Sequence, residues 1–200
     1  MPLPETVRDL RRGQIVAAGR KIVAEEGLEA LTISALEGRL TFSRGVITYH
    51  FDDKEEIVYA ILESAIEEID GVTAAGLEGK RSFAEKVRIV LSSYVRGFIE
   101  HPEAGRIMLA FWGRLGADRR ARKANASLYA RYRRGATRIL EEGHASGELA
   151  PGVNVPAAAA TLVGLVMGIV NQSYFEKGAL DPDAVVEEAT AMALARLTRR

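Results

Sequence analysis

Residues 31–57 read LTISALEGRLTFSRGVITYHFDDKEEI, and this stretch decides the fold of the N-terminal part of the chain. Thr32 can cap a short helix through its hydroxyl, and apolar residues follow at Ile33 and Leu36. A three-residue Thr-Phe-Ser turn comes next, and its Ser43 can cap a second short helix. Two short helices joined by such a turn form a helix-turn-helix, whose second helix lies in the major groove of DNA.

The second helix has donor and amphipathic side chains suited to DNA contact, at Ser43, Arg44, Thr48, Tyr49 and His50. Only Ile47 and Phe51, spaced by one helical turn, face the core by this pattern. Gly45 costs roughly 0.8–1 kcal/mol of helix stability relative to alanine, but a residue without a side chain lets the backbone approach a phosphate or a base edge. Lys54 begins the next helix and can reach a phosphate as a point charge.

Residues 10–70 resemble the DNA-binding domain of the TetR/AcrR family of bacterial transcription regulators. Residues 43–57, SRGVITYHFDDKEEI, are similar to that family's recognition helix, the aromatic pair that closes it and the lysine that begins helix four. The resemblance implies a homodimer that binds a palindromic DNA operator, usually as a repressor, and that a small-molecule effector releases. Carried over by position, it implies DNA contacts from Thr32, Ser43, Arg44, Gly45, Val46, Thr48, Tyr49, His50 and Lys54.

The resemblance also implies separate roles within this set. Tyr49, His50 and Lys54 are expected to hold phosphates, while Arg44, Val46 and Thr48 are expected to face base edges. Arginine can read guanine with two hydrogen bonds, and valine or threonine methyl groups can contact the thymine methyl. The residues allow plainer interpretations as well, because Tyr49 can cover the core of this domain and Arg44 and His50 can be ordinary surface residues.

Two residues depart from the family pattern. Thr41 stands in the turn where glycine is usual, and since a β-branched residue resists positive φ, we expect a turn of a different shape. Glu37 stands where a small alanine is usual between the two helices. Both changes affect how the second helix docks on DNA rather than the identity of the module.

Composition excludes several classes of function. The 200 residues include no cysteine, which excludes a disulfide scaffold, thiolate metal sites and a cysteine nucleophile. The 27 basic side chains balance 27 acidic ones, so affinity for DNA must come from a local patch. No P-loop, HExxH or GxSxG motif is present. We therefore expect neither an enzyme nor a bound cofactor.

Nothing in the sequence predicts a targeting or membrane segment. The N-terminus lacks the apolar region of a secretory signal. The longest apolar stretch, Val155 to Val170, has 16 residues, whereas a membrane-spanning helix needs about 20. We therefore expect a buried helix in a cytoplasmic protein.

Apolar residues recur with helical spacing nearly throughout, and this pattern predicts an all-α fold. Gly27, Gly147 and Gly178 lie where helices should stop. Ser82 with Glu85 is typical of a capping box, and Asp53 with Glu56 is an acidic version of it. About nine helices are predicted, at residues 8–26, 32–40, 43–50, 53–71, 82–100, 102–116, 118–146, 155–177 and 182–198.

Clustered glycines predict the domain boundary. Gly71, Gly76 and Gly79 lie between the short helices at the N-terminus and the longer helices that follow. We expect a helix-turn-helix DNA-binding domain at residues 1–71 and a larger ligand-binding and dimerisation domain at residues 72–200.

The second domain has aromatic and polar residues from which a small-molecule site can be built, although most of them also suit a plain core. The candidates are Met108, Phe111, Trp112, Tyr129, Tyr132, Arg133, Asn171 and Tyr174. The run from Met108 to Trp112 and the phrase ILEEGHASGEL are similar to family members with a betaine-regulator-like C-terminal domain.

Residues 114–138 include nine Lys or Arg against the single acid Asp118. A solvated helix face with ion pairs to acidic neighbours explains them more simply than an acidic ligand or a second nucleic-acid surface. Arg133 and Arg134, which flank Tyr132, are the residues to test against an anionic effector.

Close helix packing is predicted near the C-terminus, where Gly164 and Gly168 are separated by three residues in an apolar helix. With the apolar helix at 182–198, this spacing suits the four-helix dimer seam of the family, or equally packing inside one subunit. The candidate interface residues are Gly164, Gly168, Val185, Ala189 and Met192.

Two other functions compete with a regulator. A helical enzyme or metal carrier would use Glu141 and His144, but bundle metal sites need two such pairs and further glutamates, and only one pair is present. A protein–protein module with a degenerate N-terminal domain is disfavoured because Gly45, Tyr49, His50 and Lys54 are all intact.

Overall fold

The computed structural model describes residues 7–79, 81–113, 119–175 and 178–198, without the side chains at 111 and 113. Within these ranges the chain forms nine α-helices and a single 3-10 turn, Leu28–Ala30, so the predicted all-α fold is confirmed. Leu149 and Thr198 form an isolated antiparallel bridge. The helices are α1 (Val7–Glu26), α2 (Ile33–Arg39), α3 (Arg44–His50), α4 (Lys54–Gly76), α5 (Phe83–Glu100), α6 (Pro102–Gly113), α7 (Arg119–Ala145), α8 (Val155–Phe175) and α9 (Pro182–Leu197).

Local hydrogen bonds begin and end these helices largely as the sequence predicts. The Ser82 hydroxyl accepts from the Glu85 amide at 3.2 Å, and the Glu85 carboxylate accepts from the Ser82 amide at 2.8 Å. This backbone hydrogen bond lowers the pKa of Glu85. Asp181 caps α9 from the residue before Pro182. The helix-stopping glycines Gly27, Gly147 and Gly178 have φ values of 93°, 75° and 83°, which L side chains rarely adopt.

The described chain divides into two compact units. The first contains residues 1–68 and 101–110, in which α1 packs against α2 and α3, and α2 packs against α3. Its core includes Ile15, Ile22, Leu36, Ile47 and Ile61, which are fully buried. The two short helices therefore depend on α1 for their stability, because helices of seven residues are not stable alone.

The second unit contains residues 69–100 and 111–200. In it α7 packs along α8, and α5 packs against α7, α8 and α9. Its core includes the aromatic rings of Phe83 and Phe98 and the aliphatic side chains of Leu91 and Leu140. The predicted division near residue 71 stays a prediction.

Two expectations from the sequence were wrong. The helix predicted to end at residue 71 continues to Gly76, because a glycine inside a helix costs only roughly 1 kcal/mol and does not stop it. The apolar helix that begins at residue 155 is α8. It is not a buried helix, because only 33% of its most apolar 18-residue segment is buried. By length and composition alone α8 could cross a membrane, but core helices of soluble proteins pass the same test.

Candidate nucleic-acid interface and effector cavity

The turn between α2 and α3 is built without a left-handed residue. The Thr32 hydroxyl accepts from the Ala35 amide at 3.0 Å, which confirms the predicted cap at the start of α2. Leu40 ends α2 in an extended conformation. No described residue other than glycine has a positive φ, so Thr41 occupies the turn without the strain that a β-branched residue would otherwise meet.

Glu37, rather than Ser43, satisfies the start of α3. Ser43 is the N-cap residue, but its side chain makes no capping hydrogen bond, so the predicted role of its hydroxyl was wrong. The Glu37 carboxylate instead accepts from the Arg44 amide at 2.6 Å. The unusual glutamate between the two helices therefore joins the end of α2 to the first turn of α3, where free amide donors need a partner.

The recognition helix is anchored on one face and exposed on the other. Ile47 is fully buried and Phe51 is 2% exposed. On the opposite face Tyr49 is 72% exposed, so its ring does not belong to the core of the domain. The other predicted DNA-contacting residues are exposed (Thr32, Ser43, Arg44, Gly45 and Thr48) or half-buried (Val46, His50 and Lys54).

The end of α3 presents a pair of aromatic rings. Tyr49 and His50 meet edge to face with ring centroids 5.2 Å apart. Nδ1 of His50 is buried and finds no hydrogen-bond partner among the described residues. The Thr48 hydroxyl donates to the carbonyl oxygens of Arg44 and Gly45 at 3.1 and 3.3 Å, so its hydrogen is used inside the helix.

Gly45 has no packing reason to be a glycine. A Cβ atom there would meet only Oγ of Ser43, at 3.8 Å, which is ordinary contact. Its φ is not positive, so the backbone accepts any L residue. The helix penalty of this glycine is therefore not offset by any contact inside the described chain.

Two arginines of α1, which sequence reasoning missed, support the turn and the end of α3. The guanidinium of Arg11 lies 4.7 Å from the ring centroid of Phe42, and that of Arg12 lies 4.7 Å from the ring centroid of Phe51. Such contacts hold cations over aromatic faces with modest free energies. Helical spacing cannot reveal these pairs, because each joins α1 to a residue far along the sequence, in the turn or just after α3.

A cavity of about 270 Å³ lies in the second unit, between the end of α4 and helices α5, α7 and α8. Ten of its eighteen lining residues have aliphatic side chains, among them Val87, Leu91 and Val163, and Met167 adds an apolar thioether. An apolar cavity with a few converging polar groups is the usual form of a small-molecule site.

The polar groups of the cavity gather at one side. The Tyr94 hydroxyl donates to Oδ1 of Asp70 at 2.7 Å, and Arg131 forms an ion pair with Oδ2 of the same carboxylate. Tyr132 packs edge to face on Tyr94, with centroids 5.2 Å apart, and its hydroxyl has no partner among the described residues. Burial raises the pKa of both tyrosines, so both hydroxyls stay protonated at neutral pH.

Of the predicted effector-binding residues whose side chains the structure describes, Tyr132 lines the cavity and the others do not. Trp112 stacks on Tyr129 with centroids 6.5 Å apart, and Tyr174 donates to the Phe98 carbonyl at 2.6 Å. Met108 is buried in the first unit, Arg133 is exposed and Asn171 is half-buried. The side chain of Phe111 lies outside the described residues.

The predicted dimer residues lie on exposed and buried sides of α8 and α9. Gly164 is exposed and Gly168 half-buried, and a Cβ at either would meet nothing within 4 Å. Met192 is 59% exposed and Val185 is half-buried, whereas Ala189 is buried within the chain. The α8 glycines therefore do not serve close packing between the described helices.

Charged groups elsewhere form ion pairs or face solvent. From the basic stretch at 114–138, Arg131 pairs with Asp70, Arg138 also lines the cavity, and residues 114–118 lie outside the described ranges. Glu141 and His144 are exposed. Within the described part of the chain, no group of three or more His, Asp or Glu side chains could hold a metal ion.

The sequence matches two family models. Residues 15–61 match bacterial regulatory proteins of the tetR family, and residues 83–199 match the C-terminal domain of BetI-type transcriptional repressors. The second match covers more than half of the chain and agrees with the betaine-regulator-like C-terminal domain expected from the sequence.

Individual proteins are similar as well. The HTH-type transcriptional repressor AcnR of Corynebacterium diphtheriae is 37% identical over 98 residues, which cover 49% of this chain and 45% of that protein. The chain spans about half the length of the curated relatives it matches.

Solved structures share the fold over nearly the whole chain. A TetR-family regulator from Cytophaga hutchinsonii is 19% identical, with a TM-score of 0.82 and 100% of each chain covered. A putative regulator from Saccharomonospora viridis, solved in complex with choline, is 18% identical, with a TM-score of 0.77, 94% of this chain and 98% of that chain covered. From the family models and this shared architecture, the chain belongs to the TetR family of bacterial transcriptional regulators and has a C-terminal domain of the BetI type.

Proposed function

We propose that this protein is a transcriptional repressor that binds a palindromic DNA operator as a homodimer and is released by a small-molecule effector. The observation that carries the proposal is the two-sided recognition helix. Ile47 and Phe51 anchor α3 in the core, while Arg44, Gly45, Thr48 and Tyr49 remain exposed on it. Proteins of this family bind DNA operators and effectors and act as dimers.

The exposed face supports two kinds of DNA contact. Tyr49, His50 and Lys54 bind phosphates, which hold the helix in register without reading sequence. Arg44, Val46 and Thr48 face base edges, where arginine reads guanine and the methyl groups of valine and threonine contact thymine. Thr32 and Ser43 lie exposed at the starts of α2 and α3 and complete the contact surface. Gly45 allows the backbone to approach the DNA, which explains a glycine that the protein's own packing does not need.

Dimerisation occurs through α8 and α9. Much of α8 is apolar yet exposed, and Gly164 and Met192 present open apolar surface on these two helices. A second copy covering this face would bury it in a four-helix seam. The two N-terminal domains would then meet the two half-sites of a palindrome, because operator symmetry mirrors protein symmetry.

The cavity of the second unit is the effector site. It combines aliphatic walls with the polar side formed by Asp70, Tyr94, Arg131 and Tyr132. Binding there releases DNA through a coupling between two sites, typically worth about 1–3 kcal/mol. The match to BetI-type repressors supports repression rather than activation.

The Saccharomonospora viridis protein was solved in complex with choline, a quaternary ammonium compound. At 18% identity that structure supports the fold and not the ligand. Members of this family are regulators rather than enzymes, so we expect no reaction in this cavity. We also expect the protein to work in the cytoplasm.

Selection of DNA from a pool of random duplexes by the purified full chain, at physiological salt, tests the proposal. A recovered palindrome supports a sequence-specific dimer, and the motif identifies candidate target genes. Arg44→Ala serves as the matched variant, because it removes one expected base contact from an exposed side chain. Recovery of no motif, with or without added cell extract, would contradict operator binding.

A further inference from the structure

The polar side of the cavity determines which class of effector can bind, an inference that rests on the effector role proposed above. Three charged residues line the cavity: Asp70, Arg131 and Arg138. The described lining therefore has one carboxylate and two guanidinium groups, so its net charge is positive. A cation gains little in such surroundings, since its desolvation needs a nearby carboxylate to offset it.

That single carboxylate is already engaged. Oδ1 of Asp70 accepts the Tyr94 hydroxyl at 2.7 Å, and Oδ2 is paired with the guanidinium of Arg131. The Asp70 side chain is 25% exposed and Arg131 38% exposed. A quaternary ammonium group would therefore have to displace Arg131 before it met the negative charge.

The Tyr132 hydroxyl is different, because it is buried and finds no partner among the described residues. Tyr132 is 6% exposed, and its ring is fixed between Tyr94 and Phe98, with centroids 5.2 and 6.5 Å away. A buried hydroxyl without a partner is costly, and a ligand that accepts its hydrogen removes this cost. Tyr132 lines a cavity with mostly aliphatic walls.

We propose that the effector is a mainly apolar small molecule without positive charge, which places a hydrogen-bond acceptor on the Tyr132 hydroxyl. Its apolar part lies against the aliphatic walls formed by α5 and α8. The acceptor is either uncharged, such as an alcohol or carbonyl oxygen, or a carboxylate that also benefits from Arg138. Quaternary ammonium compounds are excluded by the Asp70–Arg131 pair.

Three probes with the same octyl chain separate these chemistries: octanol, octanoate and octyltrimethylammonium. We would titrate each into the purified full chain by calorimetry. Octanol and octanoate are expected to bind at least about tenfold more tightly than the cation, because the positive charge of the cation would be poorly compensated in the cavity. Tighter binding of octanoate than of octanol would assign the acceptor as a carboxylate, and the reverse order as an uncharged oxygen.

Tyr132→Phe tests the hydroxyl itself, because it keeps the ring. It should weaken the binding of octanol and octanoate roughly three- to tenfold, which is the usual net effect of one hydrogen bond. The affinity for octyltrimethylammonium should not change. Tyr129→Phe is the matched control: the same change on α7, at a ring that stacks on Trp112 and does not line the cavity. Thermal unfolding should show Tyr132→Phe at least as stable as the natural chain, since the lost hydroxyl has no partner.

Equal or tighter binding of the cation, no binding of any probe, or an unchanged affinity in Tyr132→Phe would each overturn the proposal. Gly135→Leu separates a wrong effector class from a wrong effector site. Gly135 lines the cavity, and a Cβ there meets nothing within 4 Å, so leucine fills cavity space without a clash. If the probes bind Gly135→Leu as tightly as the natural chain, the cavity is not the site. If Gly135→Leu weakens binding but the cation is preferred, only the effector class is wrong.

Discussion

Arg20 on α1 donates from Nε to Oε1 of Glu103 on α6 at 2.9 Å, and this contact joins helices that are far apart in the sequence. The Glu103 side chain is 5% exposed and that of Arg20 is 17% exposed. Arg20 also donates to Glu68 at 3.1 Å and lies 3.0 Å from Nδ1 of His101. The first residues of α6 therefore fold with the N-terminal helices, although they follow α5 in the chain.

Arg20→Met should destabilise the protein by about 3–5 kcal/mol, because it removes the guanidinium group that is paired with the buried Glu103 carboxylate. The double variant Arg20→Met with Glu103→Met should recover much of this loss, since no buried charge remains. Urea unfolding of the two single variants and the double variant measures the coupling. Losses that simply add would show that the two side chains do not act as a pair.

Glu37→Ala should destabilise the first unit by about 1 kcal/mol, the typical cost of losing a helix cap. The carboxylate accepts from the Arg44 amide, and Ser43 makes no capping hydrogen bond that could replace it. Ser43→Ala is the matched control and should change the unfolding free energy by less than about 0.5 kcal/mol, as surface substitutions do. The opposite order of the two effects, measured by urea unfolding, would assign the cap to Ser43 instead.

Gly45→Ala should separate stability from DNA binding. Because alanine fits at this exposed helical position, the variant should be up to about 1 kcal/mol more stable. Operator affinity should nevertheless fall, since the added methyl group keeps the backbone away from DNA. Gly71→Ala on α4, where a Cβ also meets nothing within 4 Å, is the control and should gain stability with operator affinity unchanged. Equal affinity in both variants would remove Gly45 from the interface.

Most short-range features, the Ser43 cap excepted, were predictable from the sequence, because they depend on residues within one helical turn. Thr32 with Ala35 and Ser82 with Glu85 form the hydrogen bonds that their spacing predicts. The recognition helix was predictable for the same reason, since its buried and exposed faces follow helical periodicity. The continuation of α4 to Gly76 was not, because packing overrides the weak preference of glycine against helices.

Features that join one helix to another could not be predicted. The capping of α3 by Glu37 requires the geometry of the turn, and the Asp70–Arg131 pair requires the register of α4 against α7. Tyr132 was a candidate because aromatic residues suit ligand sites, but its unpartnered hydroxyl follows only from the packing around it. Trp112 was a candidate for the same reason, and it stacks on Tyr129 outside the cavity.

Tyr49→Ala and Arg44→Ala should change operator binding in different ways. Loss of a phosphate contact at Tyr49 should weaken binding to every sequence alike, because phosphates do not report base identity. Loss of the Arg44 side chain should relax the base preference at one position of each half-site, and it should cost about 1–3 kcal/mol of binding free energy there. Duplex selection followed by affinity measurements on single-base variants distinguishes the two, with the exposed Arg122→Ala on α7 as control. A position-specific loss in Tyr49→Ala would contradict its phosphate role.

Gly164→Glu should convert the dimer to a monomer. Gly164 is exposed and a Cβ there meets nothing within 4 Å, so glutamate does not disturb the subunit itself. In a dimer seam formed by α8 and α9, however, its carboxylate would be buried without a partner. Sedimentation velocity measures the oligomeric state. Ala126→Glu, at an exposed site on α7, is the control and should stay dimeric. Because a palindrome needs two linked N-terminal domains, the monomer should also lose most of its operator affinity, and a Gly164→Glu dimer would place the seam elsewhere.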